Sequence, residues 1–143
     1  MTSHKQLTEH GKNWLLSAKG CNPVFCERGS AKLSEIPNVI GWSSNECYVL
    51  ECKISKADFL ADFKKEHRNN GGLGVYRYYL IPNELYESIK DEERNGWGLV
   101  VYFEGRGFCQ QVRYAESKVF ERDLKSEVFY LRSRILQIQR FGL

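Results

Sequence analysis

Apolar side chains recur along this chain with two periods, near 3.6 and near 2, and the switches between them outline its elements. Residues 7–19 set Trp14, Leu15 and Ala18 on one side of a helix, with Thr8 as candidate N-cap; Gly20 and Asn22-Pro23 end it. Val24-Phe25-Cys26-Glu27 reads as a short strand and Gly29-Ser30 as a turn. The stretch 34–54 predicts a β-hairpin turning at Ser44-Asn45, with Ser43 opposite Glu46. Ser55 then caps a helix over 56–68, Asp58 completing a Ser-x-x-Asp box. Its stripe of Phe59, Leu60 and Phe63, with Ala57 and Ala61 beside it, predicts packing on a sheet. A Gly-rich break at 69–74 leads into a strand over 75–81 closed by Pro82. There follow a short helix at 83–91, a turn at Asn95-Gly96, a strand at 97–103, a tight turn at 104–107 and a strand at 108–114. The last element is a long helix, 123–140, in which Leu124, Val128, Leu131, Ile135 and Ile138 recur at spacings of 4, 3, 4 and 3. That is the seam of a helix laid against the sheet or against a partner chain, a homodimer in the second case.

The predicted order is α-β-β-β-α-β followed by α-β-β-α. A strand, a helix and another strand in succession imply a right-handed crossover, so the fold class is α/β (α+β) with a mixed central sheet flanked by helices. A chain of 143 residues is one domain able to bury a real core. We place that core at about 7–105, with a C-terminal hairpin and helix at 106–143. No apolar run is long enough for a membrane span, and Met1-Thr2-Ser3-His4-Lys5 opens no signal-type segment, so a cytoplasmic protein with no membrane partner is expected. Five cysteines without a C-x-x-C pair read as reduced, mostly buried small hydrophobes, and three histidines without ligand spacing argue against zinc. The net charge of +3 does not by itself identify a nucleic-acid partner, although basic residues gather at 53–68 and again from Arg122 onward.

Candidate chemistry sits on the hairpin. Glu51 and Lys53 are two apart on a strand and share a face. The register set by Ser43 opposite Glu46 puts Asn38 across from Glu51, where Cβ atoms lie about 4.5–5.5 Å apart. Paired carboxylates at a strand end with a lysine nearby suit metal-assisted phosphodiester hydrolysis. The carboxylates hold Mg²⁺, which polarises the phosphate and lowers the pKa of the attacking water, while the lysine orients that water or offsets developing charge. The Cys52 carbonyl would be a further hard oxygen; Mn²⁺ would serve in place of Mg²⁺. Glu-x-Lys alone carries little, since Asp62-x-Lys64 and Asp123-x-Lys125 arise on helices, and a plain cross-strand ion pair has the same sequence. Ile40, Trp42 and Val49 share the face, however, and charge beside apolar groups requires a reason.

The block Glu35-Ile36-Pro37-Asn38-Val39-Ile40-Gly41-Trp42, followed by Leu50-Glu51-Cys52-Lys53-Ile54-Ser55-Lys56-Ala57-Asp58-Phe59-Leu60-Ala61-Asp62, resembles the core of the PD-(D/E)xK nuclease superfamily, of restriction-endonuclease-like fold. More closely, it resembles small phage and bacterial proteins reading PD-V-I-G-W and then V-E-C-K-x-S-R-x-D-F. The likeness runs through Lys64-Lys65, Arg68, Tyr76-Arg77-Tyr78-Tyr79-Leu80 and Gly96-Trp97-Gly98-Leu99, and reaches back to Val24-Phe25-Cys26-Glu27. The resemblance implies an αβββαβ core and a Mg²⁺-dependent nuclease acting on DNA, with RNA as the other candidate, in a bacterial or phage-infected cell. It implies that Glu51 is a metal ligand, Lys53 the catalytic lysine and Glu9 a supporting carboxylate. Lys56, Lys64, Lys65, Arg68 and Arg77 would contact backbone phosphates. Asn38 stands where the family has its metal-binding aspartate. Three accounts fit that departure: an engineered inactivating change, a natural variant drawing on Glu9, Glu27 or Glu35, or a catalytically silent domain that only binds nucleic acid.

Overall fold

The computed structural model describes residues 2–27, 37–62, 72–92, 94, 96–116 and 119–142. The elements in order are α1 (His4–Ala18), β1 (Val24–Cys26), β2 (Val39–Ser43), β3 (Glu46–Cys52), α2 (Lys56–Asp62), β4 (Tyr76–Pro82), α3 (Asn83–Ile89), β5 (Gly98–Phe103), β6 (Phe108–Arg113) and α4 (Leu124–Phe141). The fold is α/β (α+β): a mixed sheet of six strands, in the order β1-β2-β3-β4-β5-β6, flanked by helices and closed by a long C-terminal helix. β1, β2 and β3 are antiparallel neighbours; β4 joins β3 in parallel across α2, and β5 joins β4 in parallel across α3. β6 returns antiparallel to β5, with a register irregularity at Leu99/Val100.

The hairpin forms in the predicted register. Ser43 pairs with Glu46 and Val39 with Leu50, around a turn in which Ser44 takes a positive φ of 53°. α1 starts earlier than predicted, and Thr8 is not its cap. Ser3 Oγ accepts from the Gln6 N–H, and the Ser3 N–H donates to Gln6 Oε1, which completes a capping box three residues upstream of the apolar pattern. Thr8 is buried inside the helix, its hydroxyl donating to the His4 carbonyl. α2 keeps its predicted start, since Ser55 Oγ accepts from the Asp58 N–H. Its predicted end, and with it Phe63, lies outside the described residues.

Alternation along the strands gives the sheet two apolar faces, each covered. α1 lays Leu7, Trp14 and Leu15 on Val39, Leu50, Leu80 and Val100. It approaches closely because Gly11 has no side chain: a Cβ there would stand 2.8 Å from both Leu50 Cδ1 and Leu80 Cδ2. On the other face Phe59 of α2 and Leu85 and Ile89 of α3 pack with Tyr79, Ile81, Leu99 and Val101, joined by Trp97 and Phe120. Farther along that face, Tyr130 of α4 covers Ile40, Trp42, Cys47 and Val49. Each such buried side chain contributes about 1.5–3 kcal/mol. No helix is long and apolar enough to cross a membrane among the described residues.

Candidate functional site

The face shared by Phe59, Tyr79 and Tyr130 also carries the polar residues singled out above. Near its end β3 places Glu51 on it, and Lys53 follows one residue past the strand, both buried, at 4% and 6% exposure. Glu51 lies opposite Tyr79 of β4, and the Lys53 N–H donates to the Leu80 carbonyl at 3.0 Å. Asn38 stands at the mouth of the hairpin, one residue before the β2–β3 ladder begins. Its carbonyl accepts from the Glu27 N–H at 2.8 Å, which carries the β1–β2 pairing one step further. Its side-chain oxygen accepts from the Cys52 N–H at 2.8 Å, on the backbone between Glu51 and Lys53. Asn38 therefore ties together three strand ends.

Lys53 turns toward α2. Its ammonium pairs with Asp62 Oδ1 at 3.0 Å, and the other carboxylate oxygen of Asp62 accepts from the Tyr79 hydroxyl at 2.8 Å. Asp62 is 1% exposed, so this is a fully buried ion pair with a third polar member. A buried charge is tolerated only with such partners; removing one costs about 3–5 kcal/mol. Tyr79 is itself fixed between Trp97, stacked at 4.4 Å, and the edge of Phe59 at 4.9 Å. Sequence reasoning set Asp62 aside as a chance look-alike. The available signal was that Asp62 follows the buried Phe59 by three residues, which puts a carboxylate on the apolar stripe of α2.

Glu27 lies on the same face, beside Asn38, and is held from above by α4. The Tyr130 hydroxyl donates to Glu27 Oε1, and Arg134 approaches the same oxygen at 3.6 Å while its guanidinium lies over Phe25. Burial first, and then the neighbouring carboxylate, hold the Tyr130 hydroxyl protonated well above the usual phenol range. A cavity of about 560 Å³ opens beside this contact, lined among others by Glu27, Leu73, Lys125, Phe129 and Arg134.

The remaining predicted residues are dispersed. Glu9 is half-buried on α1, the helix that covers the opposite face of the sheet from Glu51. Lys56 is exposed in the first turn of α2. Lys64, Lys65 and Arg68, and Glu35, lie outside the described residues. Arg77 is corrected: it is 2% exposed, with its Nε donating to the Gly74 carbonyl and its guanidinium 3.7 Å above the Phe120 ring. A group so enclosed anchors the turn before β4 and does not reach a phosphate outside.

The resemblance implies Mg²⁺ or Mn²⁺, and the donors present suit neither. A hard cation needs several oxygens, preferably anionic. At position 38 the oxygen is that of a neutral amide already accepting a backbone N–H, and the amide nitrogen beside it carries partial positive charge. The Glu27 carboxylate, one residue past the end of β1, is engaged by Tyr130 and Arg134. Among the described residues no three His, Cys, Asp or Glu side chains converge as a ligand set. As they stand, these residues do not make a site for a divalent cation.

No protein-family model and no curated protein matches the chain. Among solved structures it is similar to the SPO1766 protein of unknown function from Silicibacter pomeroyi, with a TM-score of 0.66 and 21% identity, over 99% of this chain and 94% of that one. That likeness concerns the fold.

Proposed function

We propose that this chain is a nuclease-type domain of the PD-(D/E)xK kind that engages DNA, with its hydrolytic chemistry curtailed at residue 38. The observation that carries the reading is the hydrogen bond from the Cys52 N–H to the Asn38 amide. It puts residue 38 where a carboxylate would adjoin Glu51 and the Cys52 backbone, and supplies a neutral group there. The hairpin register, the motif order through Ser55 and Asp58, and the αβββαβ succession of the first six elements support the same reading. Lys56, with Lys64, Lys65 and Arg68 following in the sequence, supplies the charge for a phosphate backbone. Five free thiols suit a reducing compartment, hence the cytoplasm.

Asn38→Asp is the decisive variant, because aspartate can accept the same Cys52 hydrogen bond and so keeps the fold. With Mg²⁺ or Mn²⁺ it should nick plasmid DNA at least about 100-fold faster than the parent chain, consistent with a lost charge-stabilising group costing two to three decades. Adding Glu51→Ala to that variant should abolish the gain. If Asn38→Asp stays inert while DNA affinity falls steeply with salt, the domain is a silent nucleic-acid-binding module. Absence of any salt-dependent affinity for DNA or RNA would overturn the nucleic-acid reading altogether.

A further inference from the structure

The face of the sheet away from Glu51 is covered by α1, and beside that helix a cavity of about 310 Å³ opens against the β5–β6 turn. Its lining includes four ring-bearing side chains: His10 and Trp14 of α1, Tyr102 of β5 and Phe108 of β6. The His10 and Tyr102 rings are stacked, with centroids 3.9 Å apart and planes 13° from parallel. The Cys109 thiol donates to the His10 carbonyl, which holds α1 against β6 at this point. Trp14 is fixed at a steep angle against Tyr78, and Phe108 stands 42% exposed at the turn. Trp14 and Tyr102 are only 7% and 6% exposed. Among the described residues neither the Trp14 indole N–H nor the Tyr102 hydroxyl has a hydrogen-bond partner, and neither atom is enclosed. The His10 ring nitrogens and the Asn13 amide, on the same lining, are also without partners there. Polar groups of side chains this buried ordinarily have partners, so their convergence on one cavity points to a ligand.

We propose that this cavity binds one neutral heteroaromatic ring of nucleobase size. No Lys, Arg, Asp or Glu side chain lines it, so a phosphate or carboxylate would shed its water there without meeting an opposite charge. The walls are rings, and a flat ring makes the largest contact with such walls, stacked or edge-on. The polar atoms of the lining are mixed. The indole N–H only donates, while the phenol hydroxyl, the imidazole and the Asn13 amide both donate and accept. A hydrocarbon ring would leave all of them unpaired. A sugar carries hydroxyls around its whole rim and would strand several against the carbons of Phe108 and Trp14. A nucleobase confines donors and acceptors to its edges and keeps its faces free to stack. The volume stands at the lower end of ligand cavities, which suits one ring system and excludes a dinucleotide. A free nucleoside and an unstacked base in a strand present the same ring, and strand length and salt separate them. The cavity lies across the sheet from Glu51, so the proposal does not rest on the nuclease reading.

The three tryptophan indole N–H resonances of the full chain provide the readout in ¹H–¹⁵N NMR. Titration with adenosine, guanosine, cytidine and uridine should shift that of Trp14, with a dissociation constant on the order of 100 µM for the best of them. The resonance of Trp42, bonded to Glu127 across the sheet, should stay in place. Tyr102→Phe keeps the stacked ring and removes a hydroxyl that no described residue bonds, so the thermal midpoint should hold while affinity falls about tenfold. Phe108→Ala, at an exposed position, should weaken binding at least about fivefold through lost stacking. A single-stranded DNA of about ten nucleotides identifies the source of the ring. A Trp14 titration tighter than with nucleosides and weakened by salt assigns the site to a strand; one no tighter assigns it to a free nucleoside. The proposal is overturned by an unmoved Trp14 resonance at about 5 mM nucleoside and with the DNA, by a shift with glucose in their place, or by a shift indifferent to both substitutions.

Discussion

Cys47 and Cys52 lie in the walls of the two cores, fully covered, and burial pushes both thiols far above their ordinary value of 9.0. Cys21 and Cys109 are raised by the same cause, to about 11 and about 12. In the unfolded chain these groups lose their protons near the ordinary value, while the folded chain keeps them. The stability they contribute is complete below pH 9 and is lost as pH rises from there toward the folded values, at up to about 1.4 kcal/mol per pH unit for each fully buried thiol. The urea midpoint should therefore fall steeply above about pH 9, and the decline should be shallower in Cys47→Ala with Cys52→Ala. A midpoint independent of pH between 8 and 11 would contradict this. At the same scale, the position of Asn38 beside the Glu51–Lys53 backbone was legible, because a two-residue turn and strict alternation determine a hairpin register. The partnership of Lys53 with Asp62 and Tyr79 was not, because it joins three elements whose relative placement no local period encodes. Burial of Arg77 was likewise hidden, since its partner ring, Phe120, arrives from a distant loop.

Among the elements, α4 shows how a helix with an apolar period can dock by polar contacts. The Trp42 indole N–H donates to Glu127 Oε1 at 2.9 Å, and Arg122 grips both oxygens of the same carboxylate at 3.0 and 2.8 Å. Glu127 is 3% exposed, so its truncation strands an indole N–H and a guanidinium at the interface. Arg122 is partly exposed and can turn to water, which trims the penalty to about 2 kcal/mol for Glu127→Ala. Urea unfolding should show that loss, with Glu127→Gln milder because it keeps the acceptor for Trp42. The apolar spacing placed α4 to within one residue at each end, and Asp123, read as its first residue, is instead its cap, accepting from the Ser126 N–H. The docked face could not be read off, because its partners lie 85 and 103 residues away.

For the whole molecule, charge distribution separates residues that can meet a polyanion from those that support the fold. Lys56 is exposed and Arg77 is enclosed. If the domain binds DNA, Lys56→Ala should reduce the slope of log affinity against log salt by about 0.9 for duplex DNA. Arg77→Met should leave that slope unchanged while lowering stability by about 3 kcal/mol, since it uncovers the carbonyls of Gly72 and Gly74. Equal slopes for Lys56→Ala and the parent would remove that residue from the contact surface.

The order of the strands in the sheet is their order in the chain. Each strand finds its neighbour already made, so during synthesis the sheet can extend from one end without waiting for distant sequence. The face of β1 that carries Phe25, with Glu27 just beyond it, is the exception. Its cover arrives only with Tyr130 and Arg134, the residues that clasp Glu27. That face of β1 is thus among the last parts of the sheet to be sheltered. A chain interrupted ahead of Asp123 would present Phe25, Trp42 and Glu27 to water on that face of the sheet.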